Sequence, residues 1–203
     1  MLSEGTMTKS RLEAFADGVF AIAATLLILN VTVSGAPLAQ ELVQIWPSYA
    51  AYAVSFLTIG IIWVNHNTVM GQIGRVDRMF LFLNVLFLMF VAFIPFPTRL
   101  LAQYINSSGG SAAAVAFGVT LTVTAIWFNL LWRYAATGRR LLRHDADEAL
   151  VEGIGRSYLP GPFIYFAATL VGFVSPLASA GLYAAIAIFY VLESSIFART
   201  RAA

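Results

Sequence analysis

Residues 11–33, RLEAFADGVFAIAATLLILNVTV, decide the fold of this chain. From Ala14 to Leu29 only Asp17 is charged, and the run is about as long as the roughly 20 residues a helix needs to cross a bilayer. Arg11, Glu13 and Asp17 stand at its mouth. Charge in such a segment costs about 3 kcal/mol or more unless it is paired, hydrated or held at the interface. A charge retained there therefore orders a helix bundle or serves a pathway, which makes this stretch a candidate functional site.

Outward from this helix the composition points the same way. The 203 residues are 60% hydrophobic and 11% charged, with a mean hydropathy of +0.81, whereas soluble domains carry about 25% charged residues. A soluble core of this size could not hide so much apolar surface, while lipid solvates it. The reading is an all-α integral membrane protein, one domain over 1–203, with six transmembrane helices at about 12–33, 46–70, 80–101, 112–134, 158–177 and 180–198. Turn signals separate them: SGAP at 34–37, GQIGR at 71–75, NSSGGS at 106–111 and SPLASAG at 175–181. The last is short, so helices five and six are expected as a tight hairpin. The connection from Ala135 to Ser157 is long and charged, with GRRLLRHDADE at its centre, and has room for a short surface helix.

The chain has no cysteine, so disulfides, thiolate catalysis and cysteine metal sites are excluded. Met1 to Ser10 is polar and the apolar run behind it is too long for the core of a cleavable signal. With the N-terminus in the cytoplasm, one side collects Lys9, Arg11, Arg75, Arg78, Arg133, Arg139, Arg140, Arg143, Arg156, Arg199 and Arg201, and the other only Arg99. By the positive-inside rule both termini are expected in the cytoplasm of an inner (plasma) membrane protein. The basic balance, with a pI of about 9.1, thus reflects topology, and no nucleic-acid partner is expected.

On a wheel of 100° per residue, Phe15, Gly18, Ile22, Leu26, Leu29 and Val33 share a narrow stripe, and Ala14, Gly18, Ala21 and Thr25 form an adjoining strip of small residues. Glu13 and Asp17 point nearly the opposite way. Small residues at this spacing let helices approach closely in lipid. The pattern alone leaves open whether the aliphatic stripe faces lipid, a neighbouring helix or a pathway. Pro95 and Pro97 are expected to kink the outer end of helix three. Trp46, Tyr49, Tyr104, Trp132 and Tyr134 suit interfacial belts, and Glu193 suits snorkelling or pairing near the interface. With two histidines, His66 and His144, no one chain assembles a histidine metal triad. His66 reads as a structural hydrogen-bonding residue, with pH sensing the other reading.

Arg11, Phe15, Asp17, Gly18, Val19, Phe20, Ala21, Ile22 and Ala23 resemble the RxxxFSD signature that opens the first helix of the transmembrane protein 175 family of potassium channels, in its prokaryotic form. IWVNHN at 62–67 and FLNVLFLMFVAFIPFPT at 82–98 look like the same family. Ala16 departs from the signature, which has serine there. The resemblance implies a homotetramer in which the first helix of each subunit lines a central pore, with Ile22 at the narrowest ring and Leu26 and Leu29 one and two turns on. Thr25 is a candidate for a ring of hydroxyls. It also implies that Arg11 and Asp17 tie the first helix to helices two and three, where His66, Asn67, Asp77 and Asn84 are the available partners. No cofactor is implied, only permeant potassium and other monovalent cations.

The chain lacks a TVGYG carbonyl filter, and the Gly109-Gly110 pair lies in a polar loop. No nucleophile and base pair, phosphate loop or nucleotide motif is evident, which argues against an enzyme or a pump. A proton-coupled small-solute or ion transporter using Glu13, Asp17 and His66, and a noncatalytic membrane scaffold, are the competing readings.

Overall fold

In lipid every backbone N–H and C=O must find a partner within the chain, which leaves helices as the solution for a sequence of this pattern. The computed structural model describes residues 8–33, 35 and 37–200, the side chains of 193–200 excepted. Among these residues the regular elements are all helical. They are α1 (Lys9–Leu26), α2 (Leu38–Gln44), α3 (Trp46–Gln72), α4 (Arg78–Phe93), α5 (Pro95–Tyr104), α6 (Gly110–Ala136), α7 (Glu148–Tyr158), α8 (Gly161–Gly172) and α9 (Pro176–Thr200). The charge balance at Met1 to Met7, Arg201, and the side chains of Glu193 and Arg199 lie outside the described residues.

Four stretches among the described residues are long and apolar enough to cross a membrane: Lys9–Asn30, Trp46–Gln72, Arg78–Tyr104 and Gly110–Arg139. They correspond to the first four expected spans. The last two expected spans are shorter here. α8 has 12 residues, about 18 Å at the helical rise and less than the ~30 Å hydrocarbon thickness, and the apolar described part of α9 is Pro176–Leu192. Phe173–Ser175 join them in a tight hairpin, and the Ser175 hydroxyl accepts from the Ala178 amide at 3.2 Å to open α9. Proline at 176, which has no N–H to continue α8, sets this boundary.

Expectation and structure differ elsewhere for local reasons. The first helix does not run to Val33: after Leu26 it tightens into a 3-10 turn over Leu27–Asn30 and leaves helical geometry at Val31, so Val33 is not on the stripe. The first connection contains the short helix α2, whose buried Glu41 accepts from the Gly35 amide at 3.1 Å. Pro95 and Pro97 interrupt the third span as expected, dividing α4 from α5 at Ile94. Asn30 Nδ2 donates to the Pro95 carbonyl at 3.1 Å, tying the outer end of the first span to this kink. The charged fourth connection holds α7, opened by the Asp147 carboxylate accepting from the Ala149 amide at 2.9 Å.

α6 is the central post, packed against α4, α5, α8 and α9. Its sequence suits that place. Thr120, Thr122 and Thr124 donate their hydroxyls to carbonyls four residues back, at 2.9, 2.8 and 2.7 Å, so each polar group is satisfied within the helix. Small residues then admit its neighbours. At Gly118 the space of a Cβ is already occupied by the hydroxyls of Tyr183 and Thr169, which hydrogen-bond each other at 3.3 Å. Ser179 of α9 donates to the Ala168 carbonyl of α8 at 2.8 Å in the same buried layer. Trp132 and Tyr134 belong to this interior and not to a belt: Trp132 is buried and Tyr134 half-buried, whereas Trp46, Tyr49 and Tyr104 are exposed.

A methyl at position 118 must push Tyr183 and Thr169 away and break their bond, so Gly118→Ala is expected to destabilise the bundle by about 1–3 kcal/mol. Thermal unfolding in detergent should show a lowered midpoint, while Gly60→Ala, where a Cβ meets nothing within 4 Å, should leave it near the parent value.

Candidate functional site

α1 divides its surface sharply. Leu12, Ala16, Phe20, Ala23 and Leu27, spaced at four, four, three and four residues, are buried. This stripe packs on α3 and α4. Phe15, Ile22, Leu26 and Leu29 are 53%, 60%, 43% and 67% exposed, and Gly18, Ala21 and Thr25 are exposed beside them. One face of the first helix is therefore bound into the subunit and the other, containing the aliphatic residues singled out from the sequence, is covered by nothing among the described residues. The 3-10 turn adds to the alignment, because side chains three residues apart eclipse in that geometry, which sets Leu29 over Leu26. The Thr25 hydroxyl donates back to the carbonyls of Ala21 and Ile22 at 2.9 and 3.0 Å. Its proton is turned into the helix, so only oxygen lone pairs are left for an outside group.

The buried face is held by an aromatic and polar cluster. Phe20 reaches between α3 and α4, with its ring centroid 5.6 Å from His66 and 6.2 Å from Phe87. The His66 ring stacks on Phe87 at 5.7 Å and 8°. Its Nε2 lies 2.8 Å from Asn84 Oδ1, both residues being buried. This pair joins the second span to the third, and α1 reaches it through Phe20.

The polar partners expected for the signature are rearranged. Asp17 accepts at 2.8 Å from the indole N–H of Trp63, on α3, and none of His66, Asn67, Asp77 or Asn84 is its hydrogen-bond partner. Trp63 lies inside the IWVNHN stretch, one turn before His66, and nothing in its spacing ranks it above the other polar residues there. Asp77 works on a different joint: it caps α4 by accepting from the Phe80 amide at 2.8 Å, and accepts from the Tyr134 hydroxyl of α6 at 2.7 Å. Arg11 and Asn67 are exposed, and their side chains make no hydrogen bond among the described residues. Glu13 pairs with Lys9 one turn back at 3.6 Å. Ala16, in the place of the signature serine, is fully buried in the packing stripe. Among the described residues no cluster of histidine, aspartate and glutamate could hold a metal ion.

A bundle of bilayer-length helices whose first helix keeps one aliphatic face uncovered belongs to the class of polytopic all-α membrane proteins. Residues 11–95 match the family model described as the endosomal/lysosomal potassium channel TMEM175. A potassium channel of Chamaesiphon minutus is 43% identical over 192 residues, covering 91% of this chain and 94% of that protein. One of Streptomyces collinus is 40% identical over 185 residues, covering 89% and 90%. The chain also superposes on the crystal structure of a lysosomal potassium-selective channel TMEM175 homolog from Chamaesiphon minutus, with a TM-score of 0.83 and 38% identity over 92% of this chain and 97% of that one. The endosomal/lysosomal proton channel TMEM175 of Gallus gallus is 31% identical, and the match spans only 30% of that longer protein. This chain belongs to the TMEM175 family.

If the indole to carboxylate bond fixes α1 on α3, Asp17→Ala and Trp63→Phe, each of which removes one partner of the bond, should each lower stability, and the double substitution should fall short of their sum by about 1 kcal/mol. Unfolding of the three variants in one detergent measures that coupling, and strict additivity would show that the bond holds nothing.

Proposed function

We propose that this chain is one subunit of a homotetrameric cation channel of modest potassium selectivity, in which the uncovered face of α1 lines the conduction path. The observation that carries this reading is the exposure of Phe15, Ile22, Leu26 and Leu29 on a helix whose opposite stripe is buried. A single α1 encloses nothing, so a pore requires copies arranged around an axis. The potassium channels and the potassium-selective crystal structure to which the chain is similar along nearly its whole length support potassium as the permeant ion. In this reading all six apolar segments cross the membrane, the short α8 by local thinning of the bilayer, the single domain spans 1–203, and the arginine-rich side with both termini faces the cytoplasm.

The constriction follows from the chemistry of the face. Four isoleucine side chains cannot replace an ion's water shell as a ring of carbonyls does. They make shedding water costly, and the ion that loses water more cheaply passes more readily. Potassium and the heavier alkali ions are thus favoured over sodium, with limited discrimination. The same ring dewets when it narrows, so filter and gate are one structure. Leu26 and Leu29 form wider layers, and the outward lone pairs of Thr25 give a passing cation its one polar contact. Arg11, Asp17, His66, Asn67, Asp77 and Asn84 stay off the ion path in this scheme. Asp17 anchors through Trp63, His66 and Asn84 hold α3 to α4 beneath Phe20, and Asp77 braces α4 against α6.

Flux from purified protein in liposomes, with potassium, rubidium, caesium and sodium compared, tests the reading. Ile22→Asn should bring the sodium to potassium permeability ratio toward one without loss of total flux, and Leu26→Asn and Leu29→Asn should act in the same direction more weakly. A ratio unchanged by Ile22→Asn would remove Ile22 from the constriction.

A further inference from the structure

The arginine-rich end of the bundle contains a built cleft that the conduction path does not use. It has a volume of about 390 Å³ and is lined by Leu83, Leu130, Arg133, Tyr134, Thr137 and Arg140. Leu83 and Leu130 belong to α4 and α6, within the bilayer-length stretches Arg78–Tyr104 and Gly110–Arg139, whereas the two arginines lie at and just beyond the end of α6. An apolar wall thus leads directly into a cationic rim.

The rim is fixed in place. Gly138 and Arg139 adopt left-handed backbone geometry, with φ of 62° and 53°, a conformation uncommon for a residue other than glycine. Arg139 is held there by its guanidinium, which donates to the Ala146 carbonyl at 3.0 Å and pairs with Glu148 at 3.5 Å. The chain that follows is pinned to the turn between α3 and α4. Arg75 donates Nε and Nη2 to the Arg140 carbonyl at 3.0 and 2.7 Å, and Ile73 pairs with Leu142 as an isolated bridge. These contacts fold Arg140 back over Tyr134, its guanidinium carbon 5.0 Å from the ring centre.

The charge of this rim is unbalanced. Arg140 gives one hydrogen bond to the Tyr134 hydroxyl at 3.2 Å, leaving the rest of its donor fork unused, and Arg133 makes none from its side chain among the described residues. Neither has a carboxylate within ion-pair distance among those residues. The acid closest in the bonding network is Asp77, and both of its oxygens are already occupied, by the Phe80 amide and the Tyr134 hydroxyl. Two guanidinium groups with unused donors fit a phosphate, which arginine binds through paired N–H groups. The apolar wall fits an acyl chain running up the lipid-facing side. Basic pockets between membrane helices take anionic lipid headgroups for this combination of reasons.

We infer that this cleft binds an anionic phospholipid, its phosphate between Arg133 and Arg140 and a chain along Leu83 and Leu130. Native mass spectrometry of delipidated protein, titrated with phosphatidylglycerol or phosphatidylcholine, tests this independently of ion flux. Phosphatidylglycerol should be retained over phosphatidylcholine, and Arg133→Gln with Arg140→Gln should lower its retention about tenfold or more. Arg78→Gln, an exposed arginine outside the cleft, should leave retention unchanged. Arg133→Gln alone, which breaks no side-chain hydrogen bond or ion pair among the described residues, should give a smaller loss and keeps the test valid if the double variant does not fold. Millimolar inorganic phosphate and glycerol phosphate should fail to displace the lipid, because neither occupies the apolar wall. Equal retention of the two lipids, retention unaffected by the Arg133 change, or displacement by free phosphate would each overturn the assignment.

Discussion

Everything that positions the candidate pathway depends on how α1 packs. In a bilayer helices gain little from burying apolar surface against one another, because lipid tails are as apolar as leucine, so close fit and a few polar bonds must hold them. The stripe Leu12, Ala16, Phe20, Ala23 and Leu27 supplies the fit. Phe20 against His66 and Phe87 supplies its centre, and the bonds from Trp63 to Asp17 and from Asn30 to Pro95 fix the middle of α1 and the outer end of the first span. With one face committed in this way, Ile22, Leu26 and Leu29 can only point out of the subunit. The uncovered face is thus a consequence of the covered one.

The rest of the bundle makes that commitment rigid. α6 offers its neighbours a surface of small residues with every threonine hydroxyl already bonded within the helix, so α4, α5, α8 and α9 approach closely without stranding polar groups. Asp77 braces the base of α4 against Tyr134 of α6, and that tyrosine in turn carries Arg140. The uncovered face of α1 and the arginine-rich cleft therefore share a framework while lying on different elements.

Much of this was legible in the sequence because apolar length and charge placement are strong signals in lipid. The first four spans, the kink at Pro95 and Pro97, the hairpin before α9 and the aliphatic face of α1 all follow from residue type and spacing. The partner of Asp17 did not, since the signature supplies several polar side chains near one end of the bundle and spacing does not rank them. Trp63 prevailed, and its indole has a single donor and no competing acceptor role. Val33 was misplaced because a helical wheel assumes one pitch, whereas the helix tightens after Leu26 and ends at Asn30. The shortness of α8 was also hidden, because Gly161, Gly172 and the residues around Pro160 and Pro176 set its ends while hydropathy runs on across them.

Whether Ile22 faces the ion path can be read from one introduced thiol. With no native cysteine in the sequence, Ile22→Cys supplies a single reactive site. A small cationic thiol reagent is expected to label this position in reconstituted protein and to block potassium flux, with potassium slowing the labelling. Labelling that leaves flux unchanged, or a thiol that stays unreactive while the protein conducts, would contradict a place for Ile22 on the path.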